Sequence, residues 1–333
     1  MAAISPRLYA CGRTDHAISI TGRGDDLAWQ GAAWTEDFVD IQGIARPMPR
    51  FKTRAKMLWD DQYFYVFAEL QEPHVWANIT QKNQVIFHDN DFEIFLDPDS
   101  DHHGYHEFEV NARGTIWELT LPKPYRDGGK PEDPDNIAGL VCKVHVDGTL
   151  NDPSDTDRGW SVEIAIPWTG LAAYNAGRAG PPADGDRWHL NFSRVEWLSD
   201  IIDSQYRKIP KTMRDEDNWA WSPIGVIDMH RPERWGVVQF IRDAHAKSAT
   251  PDPLQATRDA LVAVYYRQRS YHEQTGIYAD SLAKLGLTDS LTAKIQLPAS
   301  KDGYTATMPA DGQEGVVMSI DQESHLLVPG AKK

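Results

Sequence analysis

Cysteine is nearly absent from this chain: its 333 residues hold two, Cys11 and Cys142. Two thiols cannot build a disulfide framework, and at most one bridge can join them. Long apolar runs are missing as well. No stretch reaches the ~18 apolar residues of a membrane span. No apolar leader precedes LeuTyrAlaCysGly at 8–12, so Cys11 reads as part of a first strand, and no signal peptide is expected. Basic residues are few: 34 Lys and Arg face 49 Asp and Glu, a net charge of −15. The stretch after residue 249 carries 8 basic and 10 acidic residues, so −13 of that excess lies in the front part. Such a surface repels phosphate backbones and excludes nucleic acid as a partner. The common catalytic signatures are also absent: no GxGxxG after a strand, no P-loop, no GxSxG, no HExxH and no CxxC. ArgGlyAsp at 23–25 is short enough to arise by chance.

What the chain has is tryptophan. All 12 lie between Trp29 and Trp235, many in short strand-like runs beside carboxylates and amides. Flat apolar rings next to hydrogen-bonding groups suit a sugar, which has an apolar C–H face and a rim of hydroxyls. Most of the 12 are nevertheless expected in the core. Hydrophobic residues make up 41 %, enough for one large packed domain and a small one.

Residues 1–242 read as many short strands. In 62–70, Phe64, Val66, Ala68 and Leu70 alternate with Tyr63, Tyr65, Phe67 and Glu69. In 91–97, Phe92, Ile94 and Leu96 share one face, with Asp91, Glu93 and Phe95 on the other. In 106–111, Phe108 and Val110 point inward, leaving Glu107, Glu109 and Asn111 outward. Period-2 runs separated by Pro, Gly, Asp and Asn predict an all-β fold, an antiparallel sandwich or barrel. LeuProLysProTyrArgAspGlyGly at 121–129 is an irregular loop. Residues 243–254 read as a linker. The tail, 255–333, predicts a small α+β domain: a helix over 255–275 capped by Gly276, a short helix or turn at 281–287, then a meander.

The densest polar cluster lies in 87–119. Two adjacent strands project Glu93, Glu107, Glu109 and Asn111 from one face. Like charges directly opposite one another destabilise a sheet, so a cation, an arginine such as Arg194, or a ligand is expected to compensate. Asp97, Asp99 and Asp101 alternate in a loop, as do Asp155 and Asp157. Hard oxygens at that spacing suit calcium, although His102 stands where an EF-hand loop needs glycine. His88, His102, His103, His106 and His230 add imidazoles, and a histidine–carboxylate group is a candidate for a transition metal.

These residues resemble a known family. LeuTrpAspAspGlnTyrPheTyrVal (58–66), AspPheGluIlePheLeuAspPro (91–98), PheGluValAsnAlaArgGlyThrIleTrpGluLeu (108–119), GlyTrpSerValGluIleAlaIleProTrp (159–168) and TrpGlyValValGlnPhe (235–240) together resemble carbohydrate-binding module family 9 and its relatives. The resemblance covers nearly all of 10–242. It implies a β-sandwich with structural calcium and, in one branch, a sugar reducing end gripped between two tryptophans. The family's strand glutamate falls on Glu93 and its strand asparagine on Asn111. Its strand arginine falls on Glu109, a reversal of charge. The two clamp tryptophans fall on Phe87, beside His88, and on Met229, beside His230. Trp76, Trp117, Trp197 or Trp219 are candidates to rebuild the stacking platform. The tail faintly resembles the globular part of a type IV pilin-like protein without its apolar first helix.

Three functions follow. The first is a non-catalytic saccharide binder using Phe87, His88, Glu93, Glu107, Glu109, Asn111, Trp117, Arg194, Trp219, Met229 and His230. The second is a glycoside-acting enzyme of hydrolase or lyase type with Glu93 and Glu109 as its paired carboxylates. The third is a cell-surface or periplasmic interaction protein whose tail docks a protein partner. A saccharide ligand and a secreted or periplasmic location are what the resemblance implies.

Overall fold

In the computed structural model, residues 5–132, 137–210, 216–243, 248–310 and 312–328 are described. The front part folds as fourteen strands among these residues. They are β1 (Leu8–Arg13), β2 (Val39–Asp40), β3 (Thr53–Trp59), β4 (Tyr63–Gln71), β5 (Asp91–Asp97), β6 (Tyr105–Asn111) and β7 (Ile116–Leu121). There follow β8 (Val141–Asp147), β9 (Gly159–Pro167), β10 (Arg187–Trp197), β11 (Ser199–Ile202), β12 (Gln205–Lys208), β13 (Glu216–Ala220) and β14 (Gly236–Ile241). Ten run side by side in the order β7-β6-β5-β10-β14-β1-β3-β4-β9-β8, with β13 on β10 and β2 on β13. The ribbon curls so that its two halves face each other, as the expected sandwich requires. Phe64 of β4 lies 6.2 Å from the ring of Trp188 on β10 and 5.9 Å from Phe240 on β14. Phe38, Phe92 and Phe192 stack farther along the same interior.

The seam differs from the antiparallel expectation at one strand. β1 runs parallel to both β14 and β3. It closes the fold by pairing with a strand more than 200 residues away, so no hairpin links the two. Cys11 lies within it, buried, and both cysteines are free, so the possible bridge is not formed.

The tail contains α1 (Gln255–Thr275), β15 (Thr305–Pro309), β16 (Val317–Asp321) and β17 (Leu326–Leu327). The helix ends on Gly276 in the left-handed region at φ 75°, which glycine adopts without strain. Ala260, Leu261, Val264 and Tyr265 pack on Ala306, Met308, Met318 and Ile320 in a second core. Residues 281–287 form turns rather than a helix. Of the expected linker 243–254, positions 244–247 lie outside the described residues, as do 1–4 of the N-terminus.

The two cores meet through the loops after β5 and β7. Arg258 donates to the Ser100 carbonyl at 3.0 Å, and Leu326 N–H donates to the Asp101 carbonyl at 2.9 Å. His103 stacks on His325 at 4.5 Å. Arg126 reaches Glu233 at 2.9 Å and the Tyr265 hydroxyl at 3.2 Å.

One close approach decides a residue. A Cβ on Gly236 would sit 2.4 Å from the fully buried ring of Trp221. Gly236→Ala should therefore cost about 1–3 kcal/mol, read as a lower denaturation midpoint at unchanged slope. An unshifted midpoint would show that the ring can move aside.

Candidate functional site

β5 and β6 owe their place to their apolar faces. Phe92, Ile94, Leu96, Phe108 and Val110 all enter the sandwich core. Alternation then sends Asp91, Glu93, Phe95, Glu107, Glu109 and Asn111 to the opposite side. The register sets Glu93 directly opposite Glu109, and Phe95 opposite Glu107. β7 adds Trp117 opposite Glu109 and Leu119 opposite Glu107. The polar face is not open to water: every residue of both strands is buried.

What covers this face is a concave cavity of about 320 Å³. One side is the strand wall of Glu93, Phe95, Glu107, Glu109 and Trp117. Asn218 and Glu216 of β13 flank it, with Phe87 at one rim and Tyr125, from the 121–129 loop, at another. Asp228, Met229 and His230 close the end. That last segment is held by Trp235, whose indole N–H donates to the Met229 carbonyl at 2.8 Å while its ring packs on Phe95 and Tyr105. His230 accepts or donates through Nδ1 to the Tyr105 hydroxyl at 3.0 Å. It stands edge-on to Tyr125 at 4.4 Å, with Nε2 4.0 Å from Glu107.

Burial dominates the electrostatics. It lifts Glu93 to about 7 despite a hydrogen bond from Ser193, with Glu216 adding repulsion. Burial and the neighbouring carboxylates push Glu107 and Glu109 well above the ordinary range. Burial lowers His230 to about 4, so its imidazole is neutral at pH 7. Glu109 accepts one backbone hydrogen bond, from Phe87 at 3.1 Å. The buried Trp117 Nε1 finds no acceptor among the described residues, and neither does Asp91 Oδ2 find a donor.

Seven of the eleven sequence candidates thus meet in one cavity: Phe87, Glu93, Glu107, Glu109, Trp117, Met229 and His230. Four do not. Asn111 spends its amide on the 111–115 turn, accepting from Arg113 and Thr115 and donating to Ile79 and Asp89. Arg194 faces the other way from Ser193, which is opposite Glu93. Its guanidinium is taken by Glu196, Glu72, Thr53 and the Gln71 carbonyl, between the rings of Phe51 and Trp219. It therefore cannot neutralise the carboxylate wall. Trp219 is core, and parity on β13 gives the cavity Asn218 instead. His88 is exposed, and its carbonyl accepts from Lys208. Trp76 is buried and Trp197 braces Phe87 by donating to its carbonyl at 2.8 Å; neither lines the cavity.

Tyr125, Phe95, Asn218, Glu216 and Asp228 were not singled out from sequence. Phe95 was legible, two residues from Glu93 on the same face. Tyr125 was not, because a loop carries no periodicity that aims a side chain. The histidines do not converge either: His102 and His103 face the tail, hydrogen-bonding the carbonyls of Ser324 and Glu323, and His106 lies in the interior against Tyr174.

Asp97, Asp99 and Asp101 do converge, offering oxygens within 4.8 Å of one another. Asp97 Oδ1 and Asp99 Oδ1 are buried without a partner among the described residues. Burial, with repulsion from the neighbouring aspartates, raises Asp97 and lifts Asp99 to about 6. A larger depression of about 560 Å³, on the far half of the sheet, includes Arg23, Lys52, Arg54, Glu69, Asp147, Arg158 and Trp160. Its charges are paired as Arg54–Glu69 and Arg158–Asp147, so it reads as a solvated groove.

Comparison with known proteins follows the same front domain. Residues 20–180 match the carbohydrate family 9 binding domain-like family. Among curated relatives, the exoglucanase XynX of Acetivibrio thermocellus is 27 % identical over 121 residues, 36 % of this chain and 9 % of the relative. Endo-1,4-beta-xylanase A of Thermoanaerobacterium saccharolyticum is 27 % identical over 120 residues, again 36 % and 9 %. The match thus spans about a tenth of these relatives. A family 9 carbohydrate-binding module from Caldicellulosiruptor kristjanssonii, solved with cellotriose, superposes with a TM-score of 0.46 at 17 % identity. That superposition covers 74 % of this chain and 100 % of that one.

The carboxylate wall makes a pH prediction. Glu93 lies near 4.5 when unfolded and about 7 when folded. Its burial costs nothing below its unfolded value; the cost grows as pH rises from that value to the folded one, then levels off. Glu93→Gln should therefore gain stability relative to the parent as pH rises from about 4.5 to about 7, by about 2–3 kcal/mol, and hold that gain above it. Parallel thermal melts across that range measure it; a constant difference would mean Glu93 is already ionised.

Proposed function

Residues 20–180 being a carbohydrate family 9 binding domain-like segment, we propose that the 320 Å³ cavity binds a saccharide and that the protein is a non-catalytic carbohydrate binder. The observation that carries this reading is the pairing, within one concavity, of rings with acceptors. Phe87, Phe95, Trp117 and Tyr125 can face sugar C–H surfaces, while Glu93, Glu107, Glu109 and Asn218 take hydroxyl protons. Trp117 Nε1 is a donor awaiting an acceptor such as a ring or hydroxyl oxygen.

The hydrolytic alternative fits less well. Glu93 and Glu109 are cross-strand neighbours on one wall, whereas glycoside cleavage needs an acid and a second carboxylate on either side of the bond. A binder of this family-9-like kind would belong in a secreted or periplasmic setting, as the resemblance implies. No helix among the described residues is long and apolar enough to cross a membrane.

Calcium is the second element of the proposal. Asp97, Asp99 and Asp101 would hold it, since two of their buried oxygens have no other partner. The ion would fix the loop on which Arg258 and Leu326 of the tail dock.

Two measurements test these readings. Titration calorimetry against soluble mono- and oligosaccharides should give saturable binding, with Trp117→Ala and Tyr125→Ala each weakening it at least about tenfold. Absence of binding across the panel removes the reading. After chelation, adding calcium at 100 to 1,000 times its Kd should raise stability by about 2.7–4 kcal/mol, and Asp99→Asn should abolish that gain. A melt indifferent to calcium would leave the three aspartates as a hydrated loop.

A further inference from the structure

The cavity gathers acidic groups that a neutral sugar does not answer. Five carboxylates line it: Glu93, Glu107, Glu109, Glu216 and Asp228. No Lys or Arg is among the described residues that do so, and its one imidazole, His230, is kept neutral by burial. Beneath Glu93, the fully buried Asp91 has one oxygen bonded to Val195 N–H and the other without a partner. The cation that the sequence offered as compensation, Arg194, is on the opposite face. A hydroxyl can donate to each group, but it brings no positive charge that would let Glu93 and Glu109 ionise opposite one another.

Building on the saccharide reading, we infer that this cavity selects a cationic saccharide: an amino sugar whose free ammonium sits between Glu93 and Glu109. An ammonium has three donors and a full positive charge, so it satisfies two or three facing carboxylate oxygens at once. The aromatic lining suits the same ligand. Phe87, Trp117 and Tyr125 present π faces or edges to the cavity, and a ring beside carboxylates attracts an ammonium while covering the sugar's apolar face. A divalent metal is the competing occupant, because Asp91, Glu93 and Glu109 offer oxygens within 4.8 Å of one another. A hard dication asks for six or more oxygen ligands. The other carboxylates of the wall, Glu107, Glu216 and Asp228, do not join that close group, which leaves a dication three clustered side chains amid Phe95, Trp117, Val195 and Met229.

The experiment is calorimetry on the full chain at about pH 6.5, where a sugar amine is protonated. The ligands are glucosamine, N-acetylglucosamine, glucose and their β-1,4-linked trimers. Expected is at least tenfold tighter binding of the free-amine forms, with Glu109→Gln, and separately Glu107→Gln, cutting that preference to threefold or less at unchanged circular dichroism. Equal or tighter binding of the neutral sugars overturns the inference and leaves the saccharide reading standing. Failure of every sugar overturns both. Two further arms use non-sugar cations. Nα-acetyl-lysine amide binding as tightly as glucosamine would mean the site reads an ammonium alone. Manganese or calcium binding that Glu93→Gln abolishes and that blocks glucosamine would make it a metal site. Either result sinks the proposal.

Discussion

The pairing of β5 with β6 is the constraint on which the site depends. Its register is set by the apolar side: Phe92, Ile94, Phe108 and Val110 fill the sandwich, and a slip of one residue would expose all four. The polar side has no freedom to choose its partners. Glu93 meets Glu109 because the hydrophobic face demands that alignment, and both are then covered by loops. Charge repulsion of this kind persists only where the surrounding fold over-determines it. Such places in proteins are where ligands bind.

The cover is itself anchored from elsewhere. Tyr125 lines the cavity, and its neighbour Arg126 joins the His230 carbonyl, Glu233, Tyr265 and Ser324. Asp127, next again, accepts from the Tyr265 and Ser324 hydroxyls at 2.5 and 2.7 Å. One short loop therefore presents a ring to the cavity from one residue and binds the tail domain with the next two. Losing the tail would release the side of the cavity that Tyr125 and His230 share.

Much of the fold was readable along the chain. Strands such as 62–70, 91–97 and 106–111 declare themselves by alternation, because each has one face in the core and period 2 is a local property. The same logic recovered the paired glutamates, since two adjacent strands with a hairpin-like connection can hardly avoid one another. It failed at single residues for an identifiable reason. Trp219 and Arg194 were assigned to the site by chemical type, but alternation on β13 and β10 points them into the interior and offers Asn218 and Ser193 instead. Asn111 has the right parity and is still lost, because its amide accepts from two N–H groups of the 111–115 turn and donates to the Ile79 carbonyl and the Asp89 carboxylate.

Sequence alone determined the all-β front, its helix-plus-meander tail, the excess of acid and the strand wall of Glu93, Glu107 and Glu109, all products of neighbours along the chain. Tertiary structure decided that this wall is covered rather than wet, that Tyr125 and Asn218 enter and Asn111 does not, and that β1 closes the ribbon in parallel with β14. Those outcomes turn on which distant loops fold over which strand face. Such contacts are set by packing across the whole molecule, and no local pattern carries them.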